Sequence, residues 1–356
     1  MNISISRQDT ALLKGLAIIA IVLHNFAHWI PGAVVENEYN FYVSHSLDLL
    51  TVLSHGGPHI ILNLFSYFGC YGVPVFLFIS GYGMVRKYES GGAGSDAGVS
   101  VGRFALYNAR KMWRLMIVGF ALLLFYELRF TTGFHHTIGS VVWYFLFLSN
   151  FLPEGGCGIL PAQDLLLGPW WYFSLTMQMY MLYRLLYYRR GKRPLIASAI
   201  LSVVITLAAY YLMPGGDQPL LHYLRYTFLT TLLPFAMGVW TARYGLPKVR
   251  PLFSVTASVA IMALSLFFPL FWAIAPIAVV LLALQCLRLS APLRRLPEYI
   301  GRISAFLFVV HPVVRCFCNP RLGGDVYPLL AEYLIAGFLA AAILYRLNQF
   351  IPKPRL

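Results

Sequence analysis

Charge is what this 356-residue chain has least of: Asp, Glu, Lys and Arg together make up 11%, against roughly a quarter in soluble domains. Combined with 59% hydrophobic residues, that scarcity excludes a water-soluble globular domain and leaves a polytopic membrane protein. Acids are scarcer than bases, 13 against 27, for a net charge of +14. The excess does not describe a nucleic-acid binder, because the basic residues fall between apolar segments and are not interleaved with exposed aromatics. Cys70, Cys157, Cys286, Cys316 and Cys318 show neither metal-ligand spacing nor a disulfide framework, and no metal or tightly bound cofactor is expected. No small-residue cleavage site follows the first apolar run, which therefore reads as an uncleaved span. Nor is there a repeat of the kind that marks inverted-repeat transporters.

What the chain does have is a series of apolar runs. Crossings are expected at about 12–31, 59–85, 115–131, 169–187, 195–213, 224–242, 252–269, 271–288, 302–318 and 328–347, an all-α transmembrane bundle of about ten spans forming a single domain over 1–356. Residues 32–58 carry Glu36, Glu38 and Asp48 but no Lys or Arg, and 132–168 is also free of basic residues. Both are placed outside. The apolar patch within 132–168 is read as re-entrant or interfacial, since counting it as a crossing would put YYRRGKR (187–193) outside. With both termini inside, every Lys and Arg of the 27 except Arg129, Arg225, Arg315 and Arg321 falls on the cytoplasmic side, the asymmetry of the positive-inside rule. ESGGAGSDAGVSVG, 89–102, reads as a flexible linker.

The first run, LLKGLAIIAIVLHNFAHWIP, carries polar residues at helical spacing. At 3.6 residues per turn His24 and His28 lie roughly 80° and 40° to one side of Lys14, and Asn25 about 20° to the other. His24 stands roughly 15 Å along the axis from Lys14, mid-depth in a hydrocarbon layer of about 30 Å. Ionisable groups at that depth are costly and usually functional, although a histidine that only bonds a neighbouring helix is the plainer alternative. Ser80 lies in GVPVFLFISGY beside glycines that allow close helix packing, and packing is the plainer explanation there. Ser174 and Gln178 share one face of WWYFSLTMQMY, whereas Tyr180 sits some 160° from Gln178. His311 interrupts GRISAFLFVVHPVV at a depth matching His24, next to Pro312, which leaves the carbonyl of Phe308 without a donor. Arg110, Lys111 and Arg114, with Arg86 and Lys87, serve either as topology signals or as a phosphate site.

These blocks in this order resemble acyltransferase family 3, the polytopic bacterial O-acyltransferases of surface glycans: LLKGLAIIAIVLH, GVPVFLFISGY, YNARKMWRL, WYFSLTMQMY, LPFAMGVWTAR and GRISAFLFVVHP. The chain departs from the family pattern in having Lys14 for an arginine and one residue fewer before His24, which puts Asn25 in the family's register. Thr176 and Met177 occupy the neighbourhood of a glutamate found in many members. No fused extracellular hydrolase-like domain is expected. The resemblance implies a bacterial inner-membrane enzyme that moves an acyl group, acetyl foremost, from cytoplasmic acyl-CoA to a glycan or other surface hydroxyl. It implies His24 as base, His28 as its neighbour, and His311, Ser80 and Gln178 as groups polarising the thioester carbonyl around one shared cavity. Lys14, Arg86, Arg110, Lys111 and Arg114 would meet the donor's phosphates. Trp170, Trp171 and Tyr180 would line the acceptor side, or Trp170 and Trp171 would anchor the interface. Membrane lipid is a further partner, and a homo-oligomer is compatible with the sequence. The rival readings are a glycan exporter or flippase with no covalent step, and a structural subunit of a polysaccharide-assembly complex.

Overall fold

The computed structural model describes residues 5–56, 59–89, 99–152, 163–212, 218–246, 249–352 and 354, and among them there is no strand. In chain order the helices are α1 (Arg7–Ala27), α2 (Val43–His55), α3 (Ile60–Phe68), α4 (Gly72–Tyr88), α5 (Val101–Phe130), α6 (Ile138–Phe145) and α7 (Trp171–Leu182). They continue with α8 (Lys192–Leu212), α9 (Pro219–Arg225), α10 (Phe228–Tyr244), α11 (Pro251–Leu264), α12 (Pro269–Gln285), α13 (Ala291–Cys318) and α14 (Val326–Asn348). The start of α1 is set by a capping box in which Ser6 Oγ accepts from Asp9 N (3.1 Å) and Asp9 Oδ2 accepts from Ser6 N (3.0 Å). Pro251 and Pro269 open α11 and α12, where a missing N–H costs nothing.

Among the described residues, six helical runs are long and apolar enough to cross a membrane: α1, Ile60–Tyr88, α8, Pro269–Arg288, α13 and α14. Helices occupy the other expected crossings: α7 runs on through the π-helical turn Tyr183–Tyr187, and α10 and α11 have 17 and 14 residues, or about 26 and 21 Å of rise against a core of about 30 Å. α5 has 30 residues, but Arg103, Arg110, Lys111 and Arg114 occupy its first half. By length and apolarity, six of the ten expected crossings are met among the described residues. Residues 32–58, read as a loop, contain α2. Within 132–168, α6 has eight residues and rises only about 12 Å, too little to cross. Residues 90–98 of the linker and Cys157 lie outside the described residues, and the other four cysteines are free thiols.

The chain divides into two compact units. The first takes the described residues of 1–28, 33–98 and 182–302, and the second those of 29–32, 99–181 and 303–356. In the first, α10 packs on α4 and α8, α11 on α12, and α1 on α3 and α4. α4 and α10 meet backbone to backbone: a Cβ on Gly81 would strike the carbonyl of Phe235, and one on Gly238 the carbonyl of Phe78. Small residues buy this approach where water supplies no hydrophobic drive between helices. In the second unit, fully buried Trp170 donates Nε1–H to Val309 O (3.3 Å) and lies over Gly119. Tyr126 OH donates to Cys316 O (3.1 Å), and Trp113 Nε1 to Phe145 O (2.8 Å).

Candidate active site

In the first unit, residues 33–42 form a strap fastened over the histidine end of α1. Val34 N donates to Asn63 Oδ1 (2.9 Å), and Ser66 Oγ donates to Val34 O (2.6 Å). Asn37 Nδ2 donates to Tyr42 O and to Tyr67 OH (3.1 Å each), while Trp272 Nε1 donates to Asn37 O (2.7 Å). Arg225 Nε donates to Glu38 O (2.8 Å), with its guanidinium 5.1 Å over the Trp272 ring. Gln218 accepts from Phe41 N (3.0 Å) and donates to Phe41 O (2.8 Å). A backbone pinned at positions 34, 37, 38 and 41 leaves Glu36 and Glu38 little freedom, and both carboxylates face α1.

His24 Nδ1 lies 2.8 Å from Ser66 O. A carbonyl oxygen only accepts, so Nδ1 carries the hydrogen and Nε2 of the neutral ring holds the lone pair. That nitrogen stands 3.7 Å from Glu38 Oε2. His28 Nδ1 pairs with Glu36 Oε2 at 2.7 Å, and the two imidazole rings are 5.7 Å apart. The side chains of His24 and Glu36 are each 8% exposed and that of His28 36%, so the cluster is closed at His24 and open at His28. Burial opposes charge on Glu36, but the hydrogen bond from His28 and the charge that His24 and His28 carry when protonated outweigh it. Its carboxyl is held below the usual range. Behind the histidine, a Cβ on Gly69 would come within 2.5 Å of His24 Cβ and 2.6 Å of Ala20 O, so the turn Gly69–Tyr71 runs directly against α1 there.

The donor atoms of His24, Glu36 and Glu38 all lie within 4.8 Å of one another. One imidazole and two carboxylates can share a proton or hold a divalent cation, a set that the sequence reading did not anticipate. Both glutamates were visible as acids in a loop without basic residues, in a chain with only 13 Asp and Glu. Both lie beyond the end of α1 at Ala27, where helical spacing no longer relates them to His24, so only the fold could join them.

The other candidate residues divide between the units. In the first, Asn25 Nδ2 donates back to Ile21 O (2.9 Å), Lys14 and Ser80 are half-buried, and Arg86 is exposed at the end of α4. In the second, His311 is fully buried with Nδ1 3.0 Å from Leu307 O, and Gln178 is buried on α7. Arg110 and Lys111 are exposed and Tyr180 half-buried. Arg114 differs from the expected phosphate ligand, since Nη2 donates to Asn348 Oδ1 (2.7 Å) and Ile351 O (3.2 Å), tying the end of α14 to α5. Trp170 and Trp171 are 0% and 5% exposed, so they belong to the core and not to an open sugar-stacking platform. Their apolar area suits either place, and the sequence alone does not separate the two.

Residues 10–347 match a family described as an acyltransferase domain. No curated protein and no solved structure matches the chain.

Proposed function

Because the chain belongs to acyltransferase family 3, we propose that this membrane acyltransferase moves an acyl group, acetyl foremost, from acyl-CoA to a hydroxyl of a surface glycan or related acceptor. The observation that carries the reading is His24, buried, with Nδ1–H fixed on Ser66 O and Nε2 directed into the glutamate cluster. In this reading the acceptor hydroxyl gives its proton to His24 Nε2 as its oxygen attacks the thioester carbon. The resulting oxyanion collapses, expelling the thiolate, which recovers the proton from Nε2. Glu38 and Glu36 stabilise the imidazolium that exists between those transfers, and His28 lines the open approach.

Oxyanion stabilisation needs donors. Leu307 O takes the Nδ1–H of His311, so His311 donates from Nε2 only as an imidazolium, whereas Gln178 and Ser80 donate when neutral. Lys14, Arg86, Arg110 and Lys111 are assigned to the donor's phosphates, with both termini cytoplasmic in a bacterial inner membrane.

The test is thiol release from acetyl-CoA by the purified chain, with and without a glycan acceptor. Acceptor-dependent release with one ester formed per thiol supports the proposal. Glycan movement across a vesicle with no thiol released would replace it with an exporter. In the same assay, losses for His24→Ala and His311→Ala that fail to add in the double variant identify one shared site, and additive losses separate the two residues.

A further inference from the structure

The first unit also contains a cleft of about 730 Å³ apart from the histidine cluster, within the range of about 300–1,000 Å³ usual for small-molecule sites. Phe253, Ala257 and Ile261 form its wall on α11, and Ile277, Leu281 and Leu284 its wall on α12. From Phe253 to Ile261 the slot runs about 12 Å by helical rise. The outer surface beside it is apolar too, with Leu252 and Phe253 75% and 66% exposed, as expected where hydrocarbon chains are the surrounding medium.

Two polar groups set this slot apart from ordinary helix packing. Ser258 is fully buried and lines the cleft, yet its hydroxyl has no hydrogen-bond partner among the described residues. Buried hydroxyls are normally satisfied, and this one has no exposed surface on the empty cleft, so a ligand atom meets it only as a chain entering between α11 and α12 parts their walls. Arg288, at the end of the turn Cys286–Arg288, is exposed at the mouth. The acid nearby, Asp9, is already committed to Arg294 (2.6 Å) and Ser6 Oγ (2.7 Å), so the mouth presents a cation. Between mouth and depth, Gln285 Nε2 and Ser254 Oγ face each other at 3.4 Å.

A basic mouth, a polar step and an apolar slot are the order of groups in a phospholipid read from phosphate to ester to chain. We propose that this cleft binds an anionic phospholipid of the surrounding bilayer, with one acyl chain between α11 and α12, an ester carbonyl accepting from Ser258 Oγ and the phosphate against Arg288.

The test titrates the full chain in detergent with phosphatidylglycerol and phosphatidylcholine of identical chains, reading bound lipid by native mass spectrometry. One guanidinium near an anionic head is expected to favour phosphatidylglycerol about fivefold. Arg288→Gln should erase that preference, and Ala257→Phe should lower occupancy by both lipids by filling the slot. Ser258→Ala adds no bulk and should weaken both lipids severalfold at an unchanged melting temperature, which keeps the test decisive if Ala257→Phe does not fold. Equal occupancy by the two lipids, or a preference that survives in Arg288→Gln, overturns the proposal. So does stoichiometric displacement of phosphatidylglycerol by a long-chain acyl-CoA, which would give the cleft to the donor's chain.

Discussion

Each unit sets a histidine between two carboxylates, His24 in the first and His136 in the second, and the two are wired differently. His136 Nδ1 lies 2.7 Å from Asp164 Oδ2 and Nε2 3.2 Å from Glu127 Oε1. Ionised carboxylates only accept, so Nδ1 donates to Asp164, Nε2 faces the second acid, and the two carboxylates together favour the imidazolium. The remaining oxygens are used as well: Glu127 Oε2 accepts from His135 N (3.2 Å) and Asp164 Oδ1 from Leu166 N (2.8 Å). The result is a clasp joining the end of α5 to residues 135–136 and 164–166. His24 gives one nitrogen to a neutral carbonyl and keeps the other 3.7 Å from its carboxylate, beyond hydrogen-bond length. A general base needs an unspent lone pair, and of these two rings only His24 has one.

The largest expected effect tests that contrast directly. His24→Ala should lower acyl transfer by about 10²- to 10⁴-fold, the usual contribution of a positioned base. His136→Ala should leave turnover within a few-fold while lowering the melting temperature. If the two variants lose activity equally, the contrast in wiring has no chemical meaning.

A smaller effect is expected at Glu38. Glu38→Gln keeps the shape and removes the charge facing His24 Nε2. A contact to a charged group is worth on the order of 1.5 to 3 kcal/mol, or roughly tenfold to a hundredfold. The loss should fall on kcat and leave KM for acyl-CoA unchanged, because the charge is needed only while His24 carries the extra proton. A rise in KM with kcat intact would instead make Glu38 a binding residue.

The place of His24 along α1 was legible in the sequence because a helix translates spacing directly into position, with Lys14 and His24 on one continuous helix and His28 at its C-cap. Its partners were not. Ser66 O is a backbone atom and has no signature in residue type, and Glu36 and Glu38 reach His24 only through a strap held by Asn63, Gln218, Arg225 and Trp272. Apolar runs were legible as helices, but their ends were less so. α13 starts at Ala291 and not near 302, because the polar residues preceding the apolar run continue the same helix. Trp170 shows the opposite failure, for an indole in an apolar run looks alike whether it packs on Val309 or meets a sugar.

The smallest effect is a pH dependence of stability, and it belongs to the clasp. The hydrogen bond to Asp164 raises the affinity of His136 for its proton, burial opposes this, and the charges of Asp164 and Glu127 add to it; the net shift is upward from 6.5. A raised folded value means the stabilisation is fully present below about pH 6.5 and is lost as pH climbs through the folded value. Burial pushes Asp164 up, but the His136 hydrogen bond, the Leu166 N–H and the charge of His136 pull its carboxyl below 3.8. Its share is therefore present above about pH 3.8 and lost as pH falls through the lower folded value. The clasp is at full strength between about pH 4 and 6.5, contributing on the order of 1 to 2 kcal/mol after solvent screening. His136→Phe keeps a ring beside Phe134, whose centroid lies 5.4 Å away, and removes both donors. The melting-temperature gap between the native chain and this variant should be widest in that window and narrow as pH rises above it. A gap that widens toward alkaline pH would mean that His136 is held neutral, and the contrast with His24 would fail at its other end.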